Sequence, residues 1–183
     1  MKAIVAMSSG RVIGYNGKLP WPSIKEDMRW FKWVTMGLSY ERALYLSQFP
    51  LGVPEEYELT NYREGVIVGN QTYKTIGILP ERDNYVITNA QSKLSSRLVD
   101  GMVYATVQYI LSMQSASYLW DHLWVIGGAK TYQIFLPYCD EVLVTHIIGD
   151  FMGDTHMPEF ERKFPNQEIL KESKDYWIVR YFK

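Results

Sequence analysis

Short apolar runs separated by stretches of helical length recur from one end of the chain to the other. Residues 2–7, 65–69, 84–88, 102–104, 122–127 and 141–147 are compact and rich in Val and Ile, so each reads as a buried strand rather than a core helix. Between them lie helical candidates at 70–76, at 107–113 with Thr106 as its cap, and at 129–136. This alternation restricts the fold class to α/β, a mainly parallel central sheet with helices on both faces. Residues 168–171 and 177–182 alternate in polarity and predict an antiparallel C-terminal edge. In sheets of this kind ligands bind beyond the carboxyl ends of the strands, where loops leave to opposite faces.

The segment Leu19-Pro20-Trp21-Pro22-Ser23-Ile24-Lys25-Glu26-Asp27 leads into a further helix. Ser23 and Glu26, three apart before an apolar run, have the capping-box spacing. At about 100° per residue, Trp30, Val34, Phe31, Ile24, Thr35 and Met28 form one largely apolar arc with Asp27 in its middle, while Lys25, Glu26, Arg29 and Lys32 face away. One turn from Asp27 stand Ser23, Ile24, Trp30 and Phe31, so no local cation can pair with it. A buried unpaired carboxylate must find a distant partner or shift its pKa upward. Either it is a paired structural acid, or it is a functional group in an apolar cleft.

Composition removes several other functions. At 183 residues the chain suits one domain, and 47% apolar with 21% charged residues is an ordinary globular balance. A net charge of −1 gives no basic footprint for nucleic acid. Cys139 is the sole cysteine, which rules out an internal disulfide. His122, His146 and His156 are scattered without ligand spacing, so no metal site is expected. The first residues carry a single Lys and a short apolar run, so neither a signal peptide nor a membrane span is expected, and a cytoplasmic protein is the default.

Two strand–glycine–helix junctions, Val68-Gly69-Asn70-Gln71-Thr72 and Val125-Ile126-Gly127-Gly128-Ala129-Lys130-Thr131, could admit phosphates to the backbone and to a helix start. Neither is the G-x-G-x-x-G fingerprint. Glycine also serves simply to turn the chain, and Lys130 alone is an ordinary solvated lysine. Residues 8–17 form a glycine-punctuated loop, either a mobile lid or a plain surface loop. Thr145 is a satisfied strand residue unless its hydroxyl reaches Asp27, and Gly153-Asp154-Thr155-His156 is a polar turn. In the long stretch 38–64, residues 39–48 are a helical candidate with Tyr40, Leu44 and Phe49 as anchors, and residues 50–63 are irregular.

The ordered set of these motifs resembles dihydrofolate reductase over nearly the whole chain. Ala3-Ile4-Val5-Ala6, Val12-Ile13-Gly14, Leu19-Pro20-Trp21, Asp27 and Phe31-Lys32 are followed by Val68-Gly69, Thr72, Leu79-Pro80, Arg82 and Val125-Ile126-Gly127-Gly128. Tyr132, Leu136-Pro137, Thr145-His146 and Gly153-Asp154-Thr155-His156 complete the order. The resemblance implies NADPH as cofactor and reduction of dihydrofolate to tetrahydrofolate. It makes Asp27, supported by Thr145, the group that binds the 2-amino group and N3 of the pterin, with Leu19 and Trp21 in the catalytic cleft. Ile4, Val5, Ala6, Met28 and Phe31 would surround the pterin, with the carbonyls of Ile4 and Ile126 near its 4-position. Ile76 and Leu79 would line the aminobenzoyl channel and Arg82 would meet the glutamate α-carboxylate.

The same resemblance places the nicotinamide among Ala6, Ile13, Leu19 and Tyr132. It assigns the cofactor's phosphates and ribose to Gly69, Asn70, Thr72, Thr88, Asn89, Ile126, Gly127, Gly128, Ala129, Lys130 and Thr131. It implies that the loop from Ser8 to Leu19 closes over the nicotinamide with Asp154 holding it. Expected partners are dihydrofolate and antifolate-type molecules, with a monomer or weak homo-oligomer. Asn70 and Asn89-Ala90 stand where relatives often carry groups for the 2′-phosphate, so the expected margin for NADPH over NADH is small. The usual Pro-Gly-Arg turn reads Pro80-Glu81-Arg82, and residues 38–64 lie beyond the likeness. Two alternatives stay open: a related pterin or pyrimidine reductase, against which Asp27 argues, and a structural or regulatory protein of the same fold.

Overall fold

The computed structural model describes residues 1–49, 63–90, 94 and 99–183. The strands are β1 (Lys2–Met7), β2 (Val12–Gly14), β3 (Gly65–Gly69), β4 (Asp83–Ile87), β5 (Met102–Ala105), β6 (Leu123–Gly127), β7 (Glu141–Ile147), β8 (Thr155–His156), β9 (Asn166–Glu172) and β10 (Tyr176–Phe182). The helices are α1 (Lys25–Thr35), α2 (Tyr40–Ser47), α3 (Asn70–Ile76), α4 (Val107–Ser112), α5 (Ser117–Asp121) and α6 (Ala129–Phe135).

An eight-stranded sheet runs in the order β5-β4-β3-β6-β1-β7-β10-β9. From β5 to β7 every pairing is parallel. The last two strands turn back antiparallel, β10 on β7 and β9 on β10, which gives the expected C-terminal edge. The chain leaves β1 and steps outward through β3, β4 and β5. It then returns to place β6 and β7 on either side of β1. That reversal opens a crevice above β1.

Each face of the sheet carries its own core. Phe135, Leu136, Ile110 and Trp120, from the α4–α6 side, pack on Ala3, Val5 and Val125. On the other face Trp30, Trp33 and Val34 of α1 and Ala43 and Leu46 of α2 pack on Ile4, Val66 and Ile178. Helices therefore cover both faces, as the pattern of short apolar runs requires. Strand alternation delivers this: Ile4 and Val5, adjacent in β1, belong to opposite cores.

Several expectations need correction. Helix α1 begins at Lys25 with Ile24 as its cap residue and no side-chain cap. That start puts Glu26 at the second helical position, so the Ser23–Glu26 box cannot close. The wheel also misjudged two residues: Met28 is about half exposed, while Trp33 is buried. Residues 153–156 are more than a polar turn, because Thr155–His156 pairs antiparallel with Val12–Gly14. The loop after β1 is correspondingly more ordered than a plain loop, with a 3-10 turn at Ser9–Arg11 and a Tyr15–Lys18 bridge. Helix α2 falls within the expected 39–48, and Tyr40 and Leu44 pack on the core. Phe49 does not serve as an anchor, being 45% exposed beside the Tyr45 ring. The remaining irregular stretch, 50–62, lies outside the described residues.

Candidate active site

Asp27 is the one residue of the first turn of α1 that points inward, and it is 7% exposed. The Thr145 hydroxyl on β7 hydrogen-bonds its carboxylate, so the threonine has the reach that makes it more than a strand residue. No cation among the described residues is paired with Asp27. Burial, only partly offset by Thr145, pushes its carboxyl up to about 6. The acid is therefore raised to within about a unit of neutrality, a condition suited to handling a proton or a protonated heterocycle.

Around it stand groups from several elements. Ala6 and Phe31 are partly buried and Ile4 and Val5 buried, whereas Leu19, Met28 and Ile76 are exposed. Trp21 is buried with its ring edge against Phe151, at 5.9 Å between centroids. Leu79 is anchored through its own backbone, its N–H donating to Asn84 Oδ1 and its carbonyl accepting from Asn84 Nδ2, both at 2.9 Å. The Ile4 carbonyl already accepts from the Tyr132 hydroxyl at 2.7 Å. Tyr132 is accordingly buried beneath β6, and only one lone pair of Ile4 is left for a ligand. Ile13 in β2 and Ile126 in β6 are partly buried.

Arg82 departs from a freely reaching tail-binding group. Its guanidinium is 4% exposed, with Nε donating to the Pro80 carbonyl at 3.0 Å and Nη1 to Thr35 Oγ1 at 2.8 Å. Burial lowers its pKa to about 10, so it stays charged at neutrality. No carboxylate pairs with it among the described residues.

The two glycine junctions face each other. The Gly127–Gly128 peptide is cis, and Gly127 has φ of 113°. A Cβ on Gly69 would lie 2.7 Å from Thr131 Oγ1, and one on Gly128 would lie 2.9 Å from Thr72 Oγ1. The backbone there is bare because no side chain fits, which leaves N–H groups open to a phosphate. Asn70 Oδ1 is buried with no hydrogen-bond partner among the described residues, Thr88 Oγ1 accepts from the Ala90 N–H at 3.1 Å, and Asn89, Lys130 and part of Ala129 are exposed.

The loop is held where the likeness expected. Asn16 N–H donates to Asp154 Oδ2 at 2.8 Å and Asp154 N–H to the Gly14 carbonyl at 3.0 Å. The Asn16 N–H and the Thr155 hydroxyl keep the Asp154 carboxyl below its usual range. Three contacts had no sequence signal: Thr35 on Arg82, Phe151 on Trp21, and Lys171 on Glu26.

An acid raised toward neutrality beside a strand-end crevice, with a paired glycine cradle on the next strands, marks an α/β enzyme that binds its ligands at the strand ends. Comparison with known proteins specifies the family. The dihydrofolate reductase family model matches residues 1–40 and 54–176. Dihydrofolate reductase of Bacillus subtilis strain 168 is 31% identical, the alignment covering 98% of this chain and 92% of the relative. The same enzyme of the Buchnera aphidicola from Acyrthosiphon pisum is 30% identical over 94% and 86%, and that of the Baizongia pistaciae symbiont 28% over 92% and 83%. The chain belongs to the dihydrofolate reductase family, whose members use a nicotinamide cofactor.

Proposed function

We propose that this protein reduces 7,8-dihydrofolate to 5,6,7,8-tetrahydrofolate with NADPH, in a cytoplasmic setting, as one domain carrying an insertion at 38–64. The observation that carries the reading is Asp27, buried, without a cationic partner among the described residues and held by Thr145. Such a carboxylate complements the 2-amino group and N3–H of a pterin, two adjacent donors. With a pKa of about 6 it is mostly ionised at neutral pH and can stabilise the protonated, hydride-accepting ring. Ile4, Val5, Ala6, Met28 and Phe31 supply the apolar walls, and Leu19 with Trp21 closes the entrance and excludes water.

Asp27 stands in the first turn of α1 and Arg82, just before β4, is hydrogen-bonded to that helix's last residue, Thr35, which suits a ligand with a heterocycle at one end and a carboxylate at the other. Ile76 and Leu79 would flank the aminobenzoyl group between them. The bare glycines Gly69, Gly127 and Gly128, with Asn70, Thr72, Ala129 and Thr131 around them, fit a pyrophosphate. Lys130, Thr88 and Asn89 stand at the rim for the 2′-phosphate, and Ile13, Ile126 and Tyr132 complete the nicotinamide wall. When bound, the reduced nicotinamide supplies the hydride for pterin C6. The Ser8–Leu19 loop, tied to Asp154, positions the reactants, and the proton for N5 arrives through water. Antifolate-type bases would satisfy the same carboxylate, and the protein is expected as a monomer or weak homo-oligomer. The test is the loss of reduced-nicotinamide absorbance with dihydrofolate, then with other pterins; no turnover with dihydrofolate would overturn the reading.

A further inference from the structure

Helix α1 carries the buried acid, yet its start has no side-chain cap. What anchors that first turn is a charge from the far edge of the sheet. Lys171 Nζ on β9 donates to Glu26 Oε1, and both side chains are largely out of water, 18% and 28% exposed. The same ammonium lies over the Tyr176 ring, 5.9 Å from its centre. Tyr176 on β10 is buried, and its hydroxyl faces Glu26 closely and Asp27 beyond it. The charged and titratable groups around the two carboxylates are therefore Lys171 from β9, Tyr176 from β10 and Arg29 from α1 itself, with the Thr145 hydroxyl from β7. Arg29 is committed elsewhere, its Nε donating to the Ser47 carbonyl of α2 at 2.6 Å.

We infer that Lys171 is a positioning residue for the reaction: its ion pair with Glu26 pins the first turn of α1 and cancels the negative charge that stands next to Asp27. Burial by itself raises the Glu26 carboxyl, but the Lys171 hydrogen bond and charge, joined by the Tyr176 hydroxyl and the Arg29 charge, bring it below its usual range, so Glu26 is ionised at neutrality. A fixed negative charge one residue from Asp27 disfavours ionisation of the buried acid; a neutralised one does not. Lys171 thus acts on the pterin site from the opposite strand edge, through Glu26, without touching substrate. The inference rests on Asp27 as the pterin-binding acid.

The experiment is a carbon-13 NMR titration of the Asp27 carboxyl in the unliganded protein, with the pH profile of kcat/KM alongside. Lys171→Met removes the paired cation, leaves Glu26 with only the more distant Arg29 charge and the Tyr176 hydroxyl, and should raise the Asp27 pKa by roughly half a unit to one unit. Glu26→Gln leaves a positive charge and should lower it. The double variant, with neither charge, should return close to wild type, and Lys171→Arg should retain wild-type behaviour. KM for dihydrofolate should rise about threefold or more in Lys171→Met. A merely structural pair would move both single variants in the same direction, and that result, or no movement in folded single variants, overturns the inference. If Lys171→Met does not fold, Glu26→Gln decides alone: an unchanged titration sinks it. The titration needs no turnover, so an inactive wild type would overturn the proposed reaction and leave this result standing.

Discussion

Arg82 Nη1 and Thr35 Oγ1 are 2.8 Å apart, which fixes the buried cation to the last residue of the helix whose first turn carries Asp27. Residues 27 and 35 are eight apart, and at 1.5 Å per residue that is about 12 Å. A ligand with a ring at one end and a carboxylate at the other is thereby measured against a single rigid element.

Arg82→Gln should raise KM for dihydrofolate roughly tenfold or more while changing kcat less, since a buried charge-assisted contact to the tail is lost. A pterin without the glutamate tail should be processed equally by both proteins. Equal losses with both substrates, in steady-state kinetics, would mean that Arg82 acts through α1 rather than on the tail.

Asp27→Asn keeps the shape and removes the charge. Turnover at neutral pH should fall roughly 10²-fold, the usual scale for acid–base participation. The deficit should narrow as pH falls and the pterin arrives already protonated. Wild-type turnover of the variant at neutral pH would remove Asp27 from the mechanism.

Stability should move the other way. The Asp27 pKa is raised by burial from 3.8 to about 6, so the folded state holds its proton more tightly than the unfolded chain. Stability from this group is complete below the unfolded pKa, falls as pH rises through the interval between the two, and stays reduced above the upper one. A shift of about 2 units limits the effect to about 3 kcal/mol. Urea denaturation should find Asp27→Asn about 1–3 kcal/mol more stable at pH 7, with the gain gone below about pH 4. A less stable variant at pH 7 would show that the carboxylate is held more strongly than its burial penalises it.

Lys130 is exposed at the start of α6. Lys130→Ala should raise KM for NADPH about two- to fivefold, the scale of one exposed charge contact, and leave NADH nearly unchanged. Equal changes with both cofactors would place the lysine on the shared pyrophosphate or on nothing.

Replacing residues 39–61 with a short Gly/Ser linker should cost stability and spare the substrate. Ala43 and Leu46 are buried in the α1-side core, and the Tyr40 hydroxyl donates to Glu141. Tyr40 and Glu141 line a cavity of about 710 Å³ with Lys2 and Glu64, at the strand ends opposite Asp27. Loss of these side chains should lower the unfolding free energy by about 3 kcal/mol or more, with dihydrofolate KM within a few-fold. A folded deletion variant that fails to turn over would show that the insertion reaches the ligand channel.

The sheet was legible because its strands are β-branched runs of fixed length, and α2 because its apolar residues keep helical spacing. Asp27 was legible as an acid on an apolar arc. The true start of α1 was not, since the capping-box spacing pointed to Ser23 whereas the helix starts one residue later, after Ile24. The Arg82–Thr35 and Lys171–Glu26 contacts join residues far apart in the chain, with no local spacing to betray them. Strands β2 and β8 are two or three residues long, too short to show a period.

The two glycine junctions constrain one another crosswise: Gly69 is closed off by Thr131, and Gly128 by Thr72. Each loop holds the bulk that forbids a side chain on the other. Such an arrangement is epistatic by construction. An alanine at Gly128 demands a smaller residue at 72, and one at Gly69 demands the same at 131, although these pairs sit on different strands and helices. Directed evolution toward another nucleotide would therefore cross this region in paired steps, and libraries that vary one junction at a time would miss most of its viable solutions.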